Sequence, residues 1–337
     1  MTSHKSRYKL VMKALAEILK PYLKLLRVGN LAFVAILLYV MEKWVAVPLL
    51  YTEGFAAQIP WWVLTIMILS VVLIAAGGYV INDYFDVKID RINRPDDLVV
   101  TNVISRDVAM RIFQVCTILG VIAGVVVAWC AHSWNLLFVY IVIPGLLWFY
   151  SASYKRMLLI GNWVVAFVSA IVPLLVAMVN ADILRYQYHE NLVHTPIVGQ
   201  LYLWLGGFAL FAFLLTWVRE MIKDMEDIEG DRELECRSVP IVWGMRAAKV
   251  MSTILLITSM AFIGYIAFAV LPFPMVWRSL AVRYVVFGLM IPILCVIVLL
   301  WAAKNKQEYQ RCQLIVKLIM FLGVLFSFVI QQNLYTL

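Results

Sequence analysis

Residues 61–81 read WWVLTIMILSVVLIAAGGYVI, and residues 82–95 follow at once as NDYFDVKIDRINRP. The first stretch carries no charge and is long enough to cross the hydrocarbon core of a bilayer as a helix. The second is dense in carboxylates. If the helix continues, Asn82, Asp86 and Asp90 recur at i, i+4 and i+8, within about 80° of one face, with Asp83 at its edge. Like charges on successive turns repel, so this face demands cationic partners.

The rest of the chain has the same apolar character. Of 337 residues, 64% are hydrophobic and 14% charged, with a mean hydropathy of +0.91. That excludes an ordinary soluble domain and predicts an all-α polytopic membrane bundle. Nine spans are expected, over about 31–50, 61–82, 107–129, 134–151, 160–180, 201–222, 244–270, 279–302 and 314–335. Pro144, Pro173 and Pro292 fall inside spans, where neighbouring helices tolerate them. Residues 1–30 form a separate basic amphipathic segment suited to a membrane surface, and 31–337 form one bundle. That first segment lacks the short apolar core and cleavage site of a signal peptide. The five cysteines are scattered without a C-x-x-C, so neither a disulfide framework nor a zinc site is suggested.

The net charge of +8 resides mainly in alternate loops. Lys88, Arg91, Arg94 and Arg106 follow the second span, Lys155 and Arg156 the fourth, and Arg219, Lys223, Arg232 and Arg237 surround the end of the sixth. Loops 51–60 and 130–133 have neither Lys nor Arg. The even-numbered spans therefore end in the cytoplasm, and the basic residues orient the chain rather than bind nucleic acid. Cysteines placed at positions 97 and 194 should label from opposite sides of the membrane; labelling from one side would overturn this topology.

The parity brings all the polar clusters to one side. The second acidic cluster is WVREMIKDMEDIEGDRE, 217–233, where Asp224, Asp227 and Asp231 recur at i, i+3 and i+7 on one helical face. Glu220, Glu226 and Glu229 point elsewhere on a regular helix, which Gly230 could relax. Two opposed acidic faces suit a hard divalent cation, and Mg2+ typically takes one or two carboxylates plus substrate phosphates. Arg94, Lys155, Arg219 and Lys223 are candidates for phosphate oxygens. Lys155 lies in YSASYKRM with Tyr150 and Tyr154 nearby. A carboxylate–metal site beside phosphate-binding cations, facing an apolar bundle, implies a lipid-tailed phosphate ester as substrate. Gly77–Gly78 reads as a close helix contact rather than a nucleotide loop.

NDYFDVKID resembles the first acidic motif, N-D-x-x-D-x-x-x-D, of the UbiA superfamily of intramembrane prenyltransferases. KDMEDIEGD resembles the second, and YSASYK the Tyr/Lys motif after the fourth span. The resemblance implies that two Mg2+ ions bridge the motifs and the diphosphate of a polyprenyl donor, which alkylates a lipophilic acceptor. Asn82 and Asp86 would hold one ion, and Asp227 and Asp231 the other. Asp83, Asp90 and Asp224 would complete the shells or orient the acceptor, and with Lys155 they form the implied catalytic set. Arg94, Lys155, Arg219, Lys223 and Tyr150 would face the diphosphate. The motif context is most similar to the branch acting on geranylgeranylglyceryl phosphate, which implies that acceptor. An aromatic quinone precursor is the other acceptor class. The chain departs from that branch in reading NRPDDLVVTN where NRPDRPIPSG is common, so Asp97 stands in place of an arginine. A transporter is the alternative of another class, but its charges belong at span centres, whereas these carboxylates sit at span ends in a chain whose span centres read as uncharged. A CDP-alcohol phosphotransferase would need a D-G-x-x-A-R motif, which is absent.

Overall fold

Apolar runs set the helices of this protein, and small polar residues start several of them. Its computed structural model describes residues 17–266 and 280–334. Among these, nine helices are long and apolar enough to span a bilayer. They are α1 (Val28–Thr52), α2 (Trp61–Asn93), α3 (Arg106–Cys130), α4 (Trp134–Ala152), α5 (Ile160–Tyr188), α6 (Ile197–Glu226), α7 (Met245–Tyr265), α8 (Leu280–Ala302) and α9 (Lys306–Leu334). Ser105 and Ser133 cap α3 and α4, their hydroxyls accepting from Val108 N at 3.3 Å and Leu136 N at 3.1 Å. α9 starts at Lys306 rather than near 314. Asn305 and Glu308 form a capping box there: Asn305 Oδ1 accepts from Glu308 N at 3.0 Å, and Glu308 Oε2 from Asn305 N at 3.3 Å.

One apolar core draws buried residues from all nine helices, including Leu38 of α1, Met67 of α2, Leu215 of α6 and Val316 of α9. α2 lies along α3, α5 along α6, and α6 also packs on α7 and α9. The α2–α3 contact depends on glycine: a Cβ on Gly77 would meet Thr117 Oγ1 at 2.6 Å, and one on Gly120 would meet Ser70 O at 3.1 Å. α4 and α5 run through Pro144 and Pro173. Before Pro292 the chain makes a π-helical stretch, Tyr284–Met290, one way a helix absorbs the proline clash.

Several expectations fall partly outside the described residues: the amphipathic segment up to residue 16, the end of the seventh span at 270, the following loop up to 279, and the end of the ninth span at 335. Residues 17–25 are helical, exposing Ile18, Leu19 and Leu23 while burying Leu25. One reading needs correction. Span centres are not uniformly uncharged, because Glu42 is fully buried in α1. It sits in a π-helical stretch, Met41–Ala46, and its Oε2 accepts from Asn180 Nδ2 at 2.7 Å. The amide partner makes the burial tolerable.

Candidate active site

α2 runs past its apolar part without a break, so Asn82, Asp86 and Asp90 do lie on successive turns. Asn82 Nδ2 donates to Asp86 Oδ2 at 2.6 Å, and both residues are buried. Lys155 donates to the same Asp86 oxygen. Asp83 Oδ1 accepts from Arg27 at 2.6 Å. The required positive charge thus comes from two places, the turn after α4 and the residue before α1. Asp90 has Asp86, Lys155, Lys223 and Asp83 as its charged neighbours.

The second motif differs from a single regular helix. α6 ends at Glu226, Asp227 takes φ −95° and ψ 13°, and a short helix restarts at Ile228–Glu233. The break falls at Asp227 rather than Gly230. Asn93, the last residue of α2, explains it. Its Oδ1 accepts from Gly230 N at 3.0 Å and its Nδ2 donates to Asp227 O at 3.3 Å. The first N–H groups of a helix have no partner within it, and Asn93 supplies one from another helix. Gly230 serves this contact: a Cβ there would lie 2.6 Å from Asn93 Oδ1 and Nδ2.

Four of the neighbouring carboxylates, Asp224, Asp227, Glu226 and Glu220, have side-chain partners. Asp224 Oδ2 accepts from Asn162 Nδ2 at 2.8 Å. Arg94 donates to Asp227 Oδ2 at 3.0 Å and to Glu226 Oε1 at 3.4 Å. Glu226, although off the Asp224 face as expected, is buried, and it accepts from Gln310 and Gln313 of α9. Arg219 donates to Glu220 at 2.5 Å, and Glu229 is exposed. Lys223 acts electrostatically on Asp83, Asp90 and Asp231. Tyr150 is buried at the end of α4, where Glu220, Lys155, Asp86 and Asp224 are its charged neighbours.

A backbone bond ties the Lys155 turn to the second motif, since Arg237 N donates to Arg156 O at 3.0 Å. Cys236 N donates to Asp231 O at 2.9 Å. The three sequence clusters therefore close a ring: first motif to second through Asn93 and Arg94, second motif to the Lys155 turn, and Lys155 back to Asp86. Burial is the main influence on Asp231 and pushes it up to about 6; Lys155 opposes this, and Asp227 and Asp86 add to it. Burial alone would depress the Lys155 ammonium, but Asp86 and Asp90 hold it above its ordinary range.

Oxygen donors suit Mg2+. Among the described residues, no three His, Cys, Asp or Glu side chains stand close enough to hold an ion unaided. The donors come instead as two pairs, Asn82 with Asp86 and Asp227 with Asp231, and Asp86 acts on Asp231 across the mouth. This set fits an ion that completes its coordination with substrate phosphate and water. Sequence reasoning missed Arg27, Asn93, Asn162, Glu226 and the two glutamines. Asn93 and Glu226 lay within the quoted motifs, Glu226 set aside as off the Asp224 face, and Gln310 and Gln313 stand three residues apart on a helix; Arg27 and Asn162 carry no local signal.

The family model described as the UbiA prenyltransferase family matches residues 30–325. The chain is 31% identical over 263 residues to digeranylgeranylglyceryl phosphate synthase of Thermococcus kodakarensis, covering 77% of this chain and 82% of that one. A solved structure concerned with digeranylgeranylglyceryl phosphate synthase in membranes superposes with a TM-score of 0.59 at 22% identity, over 93% of this chain and 99% of the other. A UbiA homolog from Archaeoglobus fulgidus, solved bound to GPP and Mg2+, does so with a TM-score of 0.53 at 15% identity, over 91% and 99%. With nine apolar helices among the described residues and a family match over most of its length, this chain is an integral, multi-pass membrane protein and belongs to the UbiA prenyltransferase family.

Proposed function

We propose that this chain transfers a polyprenyl group from a prenyl diphosphate to geranylgeranylglyceryl phosphate or a closely similar phosphoglycerol lipid. The observation that carries the reading is the ring at the mouth, where both acidic pairs and the cations Lys155 and Arg94 converge on one end of an apolar bundle. The Thermococcus relative supports the acceptor. In the reaction the allylic C–O bond of the donor breaks and diphosphate leaves. A new ether C–O bond forms to the acceptor hydroxyl, whose proton is released.

Mg2+, two ions by our reading, would supply charge neutralisation for the leaving diphosphate. Asn82 and Asp86 would hold one ion, and Asp227 and Asp231 the other. Lys155 and Arg94, which pair with Asp86 and Asp227, would donate to diphosphate oxygens. Arg219, Lys223 and Tyr150 line the same mouth and would face the leaving group. Asp83, Asp90 and Asp224 would orient the acceptor or fix the metal ligands. The apolar bundle would hold the prenyl tail and keep water from the allylic centre. We further propose one catalytic bundle over 31–337, with the basic segment 1–30 lying on the surface of the plasma membrane. The mouth then opens to the cytoplasm.

The test is a purified-protein assay with Mg2+, offering geranylgeranyl, farnesyl and longer diphosphates against phosphoglycerol-lipid and aromatic acceptors. We expect pyrophosphate release and ether formation with the phosphoglycerol lipid, abolished by EDTA and restored by Mg2+. Transfer only to a naphthoate or hydroxybenzoate would reject the acceptor. Failure to release pyrophosphate from any donor would return the transporter reading.

A further inference from the structure

A cavity of about 550 Å3 opens between the end of α2 and the first three turns of α9. Its polar lining includes Arg94, Glu226, Lys306, Gln310, Gln313 and Lys317. Four of these, Lys306, Gln310, Gln313 and Lys317, recur on α9 at i, i+4, i+7 and i+11, within about 60° of one face. Lys317 stands deepest of the four in the apolar part of α9, where a cation is costly without a partner. Protein partners account for only part of it. Gln310 and Gln313 hold Glu226, which in turn engages Arg94, and Lys306 donates to Asn93 O. Lys317 makes no ion pair among the described residues, and three of the four charged groups acting on it, Arg219, Arg27 and Lys223, are cations. Asp96 also lines the cavity, and Glu226 is already engaged. The space left beside Lys317 is positive, belongs to a cavity the size of a small-ligand site, and is bordered by Leu314, which is 68% exposed.

We infer that this cavity seats the phosphomonoester of the lipid acceptor, with Lys317 as its charge-assisted donor. The inference rests on the phosphoglycerol reading above and assigns the acceptor's head a place that the acidic pairs do not occupy. The donor diphosphate faces Asp86 and Asp231. None of Asn82, Asp86, Asp227 and Asp231 lines the cavity, so the phosphomonoester can be held without displacing the acidic pairs. A lipid entering beside Leu314 would place its head on the polar stripe and keep its chain in apolar surroundings.

The test uses the full chain in detergent. Lys317→Gln is the decisive variant, because Lys306 supports Asn93 and its loss would disturb the second motif. We expect Lys317→Gln to raise the KM for the phosphorylated acceptor about tenfold, as for the loss of one charge-assisted contact. The donor KM and kcat should change less than about twofold on the same reasoning. The variant should also lose the preference for phosphorylated acceptor over the corresponding alcohol, and Lys317→Arg should restore it. An unchanged acceptor KM, or a fall in kcat alone, would overturn the assignment. A binding arm keeps this separate from the function: glycerol phosphate should raise the thermal midpoint of the wild type and not of Lys317→Gln. If it does so while the protein prenylates only aromatic acceptors, the acceptor reading falls and the phosphate site stands. If prenylation of the phosphoglycerol lipid is found but neither effect of Lys317→Gln is, the site falls and the function stands. Equal displacement of glycerol phosphate by phosphatidylglycerol, a diester, would mean a site for bulk lipid and would also overturn it.

Discussion

Asp86→Asn and Asp231→Asn will each lower turnover by about a hundredfold or more, and combining them will cost much less than the product of the two losses. The single effects follow from the value of one electrostatic contact to a developing charge, about 3 kcal/mol. The shortfall in the double variant follows from the ring geometry. Lys155 is bonded to Asp86 and also acts on Asp231. Asp86 acts directly on Asp231. Neither acidic pair has enough close ligands to hold an ion alone, so in the proposed mechanism the two pairs would work together and losing either would disable both. The variants should fold, because neither substitution removes apolar packing, repulsion from the neighbouring carboxylates falls, and an asparagine oxygen at 86 can still accept from Lys155. Turnover against Mg2+ concentration, measured beside thermal stability, checks this. Near-native activity in a single variant, or cleanly multiplicative losses in the double, would mean that the two pairs are not one site.

Much of this was legible in the chain itself. Hydropathy alone marks nine spans, and the structure has nine candidate helices among the described residues at those places. Capping signals refine the ends: Asn305 and Glu308, three apart, announce the early start of α9. Helical spacing marks the first motif correctly, since α2 has no reason to stop before Arg94. What escaped was always a partner distant in sequence. Asp83 meets Arg27 from the segment before α1, and Asp224 meets Asn162 from α5. Glu42 was overlooked because a window of apolar neighbours absorbs one carboxylate, and its partner Asn180 lies four helices away. The clearest case is the bend at Asp227. A regular helix relaxed at Gly230 was the natural reading of 217–233, and nothing local marks Asp227 as the break, because the residue that caps the restarted helix is Asn93.

Gly230→Ala should therefore cost about a hundredfold in turnover while leaving most of the fold intact. A methyl group at 230 would fall 2.6 Å from Asn93 Oδ1 and Nδ2, inside any tolerated contact. Asn93 cannot retreat freely. Its backbone carbonyl accepts from Lys306, and the next residue, Arg94, is fixed to Asp227 and Glu226. If the Asn93 amide swings away it gives up both of its bonds to the restarted helix; if it stays, the short helix Ile228–Glu233 moves and takes Asp231 with it. Overpacking of this kind costs about 1–3 kcal/mol of stability, which a bundle with one continuous core can absorb. Catalysis is less forgiving, since a displacement of about 1 Å at a reacting site can cost a hundredfold. Asn93→Ala supplies the control. It removes the steric conflict together with the cap, so the double variant Asn93→Ala/Gly230→Ala should recover part of the activity that Gly230→Ala loses. Measuring kcat, KM for the donor and thermal midpoint on all three variants separates the outcomes. Wild-type turnover in Gly230→Ala, or no recovery in the double variant with the fold retained, would show that the junction between α2 and the second motif does not position the acidic pair.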